Sequence, residues 1–103
     1  MYSQRELPYV VAMADIRVER RHTIGKQAAL AAALRVAERM QEKAQVQFRV
    51  NGDAIEFERS GAKGRLLVTE QTVTAEVTLG LLLKPMRGFI EQKIDDYFTR
   101  YFS

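Results

Sequence analysis

Cysteine and tryptophan are absent from this 103-residue chain, and histidine occurs once, at His22. Without cysteine there are no disulfides, thiolate metal sites or cysteine nucleophiles. With one histidine, neither a histidine-based metal cluster nor a Ser/His/Asp triad can be built from independent parts. Proline is confined to Pro8 and Pro85. No apolar run approaches the roughly 20 residues of a membrane-spanning helix. Val10-Val11-Ala12 is too short for the apolar region of a signal peptide. These absences predict a cytoplasmic protein and leave no catalytic constellation, no catalytic residue, no metal and no cofactor to name.

What is present is ordinary globular composition, 47% hydrophobic and 28% charged, in a length that suits one domain. Met1–Ala12 is expected to be an N-terminal extension (1–12), interrupted by Pro8, ahead of a domain at 13–103. The net charge is +3, and it is unevenly spread. Residues 1–65 carry a balance of +4 and residues 66–103 a balance of −1. Arg17, Arg20, Arg21 and Lys26 form a candidate basic surface. A solvated face is the simpler reading of them, and a nucleic-acid or other anionic partner the sharper one.

Periodicity gives the elements. Ile16 and Val18 alternate with Asp15, Arg17 and Glu19, which predicts a short strand with one wet face. Thr23 is placed to cap a helix at Ile24–Ala44, whose apolar stripe reads Leu30, Ala33, Leu34, Ala37, Met40 and Ala44. Asn51-Gly52 between two alternating runs predicts a hairpin. A two-residue turn there would pair Phe48 with Ile55 and Val46 with Phe57. Taking Gly61–Gly64 as the next loop would place Phe57 opposite Val68. Val68 and Leu66 would then meet either Val73 and Ala75, or Ala75 and Val77. The last strand, Thr72–Leu79, turns Val73, Ala75, Val77 and Leu79 inward. Pro85 opens a closing helix with a stripe of Phe89, Ile90, Ile94, Tyr97, Phe98, Tyr101 and Phe102. The order β-α-β-β-β-β-α predicts an α+β fold, an antiparallel meander sheet with two helices packed on one face.

Little of this looks like catalysis. His22 precedes the expected helix start and reads as a turn-stabilising residue. Gly61-Ala62-Lys63-Gly64 lacks phosphate-loop spacing and joins two antiparallel strands. Glu56 and Glu58 share an outer strand face without a visible partner. The outward sheet positions carry no aromatic, which argues against an RNA-stacking platform. The feature left over is Leu79-Gly80-Leu81-Leu82-Leu83-Lys84-Pro85-Met86. Leu81, Leu82 and Leu83 cannot all point one way in a regular element. With Met86, Phe89, Tyr97 and Tyr101 they make a candidate apolar contact surface.

Three landmarks, in this order, resemble a known family. They are His22-Thr23-Ile24-Gly25; Phe57-Glu58-Arg59-Ser60-Gly61 with Gly64; and Leu79 to Met86 followed by Ile90-Glu91 and Ile94. Over about Met13–Phe102 the chain resembles the small polyhydroxyalkanoic acid system proteins found with bacterial polyester-storage genes. That resemblance implies a non-enzymatic accessory protein binding a polyhydroxyalkanoate granule or a granule-associated protein, and it brings no catalytic residues with it. Two other classes stay open. The element order is also similar to that of ribosome hibernation factors, which would make the chain a ribosome- or RNA-binding module using its basic first strand and first helix. A small apolar-ligand carrier would need a cavity between the sheet and the last helix. A homodimer through that helix is compatible with each.

Overall fold

The computed structural model describes residues 14–102, so the expected extension at 1–12 lies outside the described residues. Five strands, β1 (Ile16–Arg21), β2 (Gln47–Asn51), β3 (Ala54–Arg59), β4 (Ala62–Val68) and β5 (Thr72–Leu79), pair antiparallel in the order β1-β5-β4-β3-β2. Helix α1 (Lys26–Ala44) follows β1. A 3-10 turn at Lys84–Met86 leads into α2 (Arg87–Tyr101). This is the predicted α+β meander with two helices on one face.

Burial follows the strand period of two. Ile16 and Val18 of β1, Ile55 of β3, Leu66 and Val68 of β4, and Val73, Ala75 and Leu79 of β5 are buried. The helices close over them with Ala29, Ala33, Val36 and Ala37 of α1, Phe98 of α2, and Phe102 just beyond it. Phe98 and Phe102 meet edge to face, with ring centroids 5.5 Å apart, the geometry favoured by the aromatic quadrupole.

Several expectations shift in detail. Helix α1 starts at Lys26, and its N-cap is Gly25 at φ +86°, with no capping bond from a side chain. Thr23 therefore does not cap it. The buried stripe of α1 is Ala29, Ala32, Ala33, Val36 and Ala37, while Leu34 is exposed. In so alanine-rich a helix the apolar contrast around the axis is weak, and Val36 sets the buried side. Leu34, at the border, stays wet.

The first hairpin turns on Gly52-Asp53, pairing Asn51 with Ala54, Val50 with Ile55 and Phe48 with Phe57. Gly52 has φ +63° at the first loop position, where a II′ turn calls for glycine. That moves the register two residues from the expected one and leaves both faces intact. The second hairpin turns on Ser60-Gly61 and pairs Phe57 with Gly64, not Val68. Gly64 is thus a strand residue. The third pairing places Val68 opposite Val73 and Leu66 opposite Ala75, the first of the two registers considered. Pro85 lies in the 3-10 turn ahead of α2, with no need of an N–H there.

Candidate functional site

The corner between β5 and α2 is held from three sides. The Gly80 N–H donates to the Gly61 carbonyl at 2.7 Å, and the Leu83 and Lys84 N–H groups donate back to the Gly80 carbonyl at 3.0 and 3.1 Å. Asp15, at the start of β1, supplies the second hold. Its carboxylate accepts from the Leu79 N–H at 2.7 Å and from the Lys84 ammonium at 2.9 Å. Its carbonyl accepts from the Arg87 guanidinium at 2.7 Å. The Leu79 hydrogen bond first, and Lys84 second, hold the Asp15 carboxyl below the usual aspartate range. The third hold is packing: Leu83 lies beneath the β3–β4 turn, where a Cβ on Gly61 would stand 3.1 Å from Leu83 Cδ1. With φ +87°, Gly61 is the one residue type that takes this turn and leaves room for that leucine.

The three leucines therefore part company. Leu83 packs against the core, whereas Leu81 and Leu82 stand 82% and 91% exposed at the tip of the corner. Met86, in the 3-10 turn, and Phe89, at the start of α2, are exposed too. Tyr97 and Tyr101 are half-buried against the core, their ring centroids 6.1 Å apart. Of the seven candidate contact residues, Leu81, Leu82, Met86 and Phe89 are exposed, and Met86 and Phe89 also line the groove beside the corner. Leu83 serves as their foundation.

Beside the corner, a groove of about 750 Å³ runs between the C-terminal half of α1 and α2, over β3 and β4. Its floor is apolar, with Met40, Phe57, Val77, Leu83, Ile90 and Ile94 among its residues. Next to it, and sharing Met40, Phe57, Val77, Ile94 and Tyr97 with it, lies a smaller pocket of about 40 Å³ with no polar lining surface.

The candidate basic residues do not form one surface. Strand alternation sends Arg17 and Arg21 to the outer face and Arg20 to the helix side, where it pairs with Asp95 of α2. Arg17 contacts Glu19 at 3.0 Å and Glu76 at 3.6 Å. Lys26 meets Asp53 at 2.5 Å, a contact that raises its pKa. Three of the four cations are thus neutralised locally, which weakens a nucleic-acid interface built from them.

The outer face holds a feature that sequence reasoning missed. Arg17, Glu76, Arg65, Glu56 and Arg49 stand opposite one another in a single row across all five strands. Arg65 donates to Glu76 at 3.0 Å, and Arg49 to Glu56 at 2.8 Å. Arg49, then Asn51, lowers the Glu56 pKa. Glu76 is only 3% exposed, a burial made tolerable by the arginines on both sides. Glu56 is therefore engaged in this row.

His22 is buried, and its Nε2 donates to the Thr69 carbonyl at 3.0 Å. Its backbone N–H donates to the Gln71 carbonyl at 2.9 Å. Both bonds tie the end of β1 to the β4–β5 turn, as a turn-stabilising residue does. Among the described residues, no helix is long and apolar enough to cross a membrane.

No curated protein and no solved structure matches the chain. Residues 16–102 match the family described as "Putative polyhydroxyalkanoic acid system protein", a description that names no catalytic activity. The matched span takes in all three sequence landmarks and every element from β1 to α2, and the chain belongs to this family of polyhydroxyalkanoic acid system proteins.

Proposed function

We propose that this chain is a non-enzymatic accessory protein of the polyhydroxyalkanoate system that works by binding. Its contact surface is the corner formed by Leu81, Leu82, Met86 and Phe89, and its target is the apolar surface of a storage granule or a protein seated on one. The observation that carries this reading is the pair Leu81 and Leu82, 82% and 91% exposed on a backbone held by Gly61 and Asp15. A rigid display of apolar side chains costs solvation in the free protein and recovers it on contact, about 2 kcal/mol for each leucine fully buried. Because the corner is already ordered, little conformational entropy is lost on docking.

The test is co-sedimentation with granules of the wild-type chain and the Leu81→Asp/Leu82→Asp variant, with ribosome fractions scored alongside. Both positions are solvent-exposed, so the variant should fold, as far-UV circular dichroism will check. Granule binding should be lost in the variant. Unchanged co-sedimentation refutes the corner as the contact surface, and recovery of both proteins with ribosomes alone refutes the granule assignment.

A further inference from the structure

The groove between α1 and α2 differs from the corner in having a charged rim. Arg39, Lys43, Arg59, Lys93 and Arg100 line it against Asp96, while Lys63 and Glu58, which also border it, stand opposite each other on the outer phase of β4 and β3. Among the described residues, Lys43 and Arg100 make no ion pair, and Lys93 lies over the Phe89 ring, 5.6 Å from its centroid. Arg59 spends its guanidinium on the backbone carbonyls of Ala44 and Ser60, so its charge is not cancelled. Asp96 accepts a hydrogen bond from Gln92 at 3.1 Å. An excess of cations around an apolar floor suits an anion that carries a hydrocarbon chain.

The shape points the same way. The volume, about 750 Å³, lies within the range of small-molecule sites, roughly 300–1,000 Å³. The smaller pocket of about 40 Å³ shares Met40, Phe57, Val77, Ile94 and Tyr97 with the groove, and methionine is the most adaptable of core residues. A flat protein surface would have no use for that depth. An alkyl tail would, since its end can pass Met40 into the smaller pocket that shares this side chain.

We propose that this groove binds a single-chain alkanoate, with its alkyl tail between Phe57, Ile90 and Ile94 and its carboxylate among the rim cations. The site adjoins the corner, sharing Met86 and Phe89 with it but not Leu81 or Leu82, and goes beyond the accessory role, giving the protein a small-molecule ligand of its own.

The experiment is calorimetric titration of the protein with hexanoate, octanoate, decanoate and dodecanoate below their micellar concentrations, with 1-decanol as the uncharged control. Saturable 1:1 binding is expected, with affinity rising up to about fourfold for each methylene buried and decanoate binding better than decanol. The Lys43→Glu/Lys93→Glu/Arg100→Glu variant should bind decanoate at least tenfold more weakly while binding decanol unchanged. Its substitutions are all at exposed positions and break no ion pair among the described residues. Equal affinity for decanol and decanoate overturns the proposal, as does the absence of a saturable event. A melting temperature that falls on addition of dodecanoate reports denaturation and overturns it too. The Leu81→Asp/Leu82→Asp variant should bind decanoate like the wild-type chain, so that failure of the groove and failure of the corner give different results.

Discussion

On the outer face of the sheet Arg17, Glu76, Arg65, Glu56 and Arg49 answer one another's charge across five strands, whereas at the corner before α2 Leu81 and Leu82 stand exposed. The first region satisfies its charges within the row, with Glu76 and Arg65 buried at its middle and Arg17 and Arg49 exposed at its ends. The second is left open, although the corner that carries it is fixed by at least five hydrogen bonds to Gly61, Gly80 and Asp15. The difference teaches that conspicuous residues are not equally available. A charged side chain on a strand can be used up by its neighbours across the sheet, while an apolar side chain on a rigid turn has no such outlet and keeps its demand for a partner.

The contrast can be broken most severely at Arg65. Its side chain is mostly buried beside Glu76, so Arg65→Ala leaves a buried carboxylate with only the longer Arg17 contact, at 3.6 Å. A loss of about 3 kcal/mol in urea-unfolding free energy is expected. Arg17→Ala, at a half-exposed position, should cost less than about 1 kcal/mol in the same assay.

Within the corner, Leu83→Ala removes packing beneath the β3–β4 turn and should cost about 2 kcal/mol. Leu82→Ala should stay within about 0.5 kcal/mol of wild type. Equal costs at the two positions would erase the distinction between foundation and display.

A smaller effect is expected from acid. Asp15 has its pKa lowered in the folded state by Leu79 and Lys84, so its ionised form favours folding. That contribution is complete above the unfolded aspartate pKa, about 3.9, and disappears as pH falls through the lower folded value. In thermal unfolding between pH 6 and pH 2.5, wild type should melt above Asp15→Asn at the upper end. The gap should close as pH drops below about 3.9. A gap independent of pH would remove the carboxylate from the account of the corner.

Period and register were unequally legible in the sequence. Alternation at Val73, Ala75 and Leu79 identified the buried face of β5, because a strand's period of two is a local property. Registers depend on turns, and two of them moved. Both expected registers kept the apolar face intact while breaking the charged row, for Arg49 would have met Ala54 and Glu56 would have met Thr69. Apolar pattern fixes which face is buried, and complementary charge discriminates among the registers that share that face. The row was invisible until all four pairings were known together. The exposed leucines were legible as a group, and their separation was not. Which of Leu81, Leu82 and Leu83 turns inward depends on Gly61 and Asp15, residues 20 and more positions away in sequence. The groove was harder still, since its rim draws on α1, the β3–β4 hairpin and α2. Lys43, Lys93 and Arg100 become neighbours of one site only through the fold.

The charged row has five members, and an alternating series of odd length has like ends. Arg17 stands on β1 and Arg49 on β2, the two outermost strands of the sheet among the described residues. Two copies meeting edge to edge at this level therefore bring arginine against arginine, whichever edges they offer. The row that locks the strands inside one molecule thus also repels the addition of a strand from another, a guard against the runaway sheet extension to which open edges are prone.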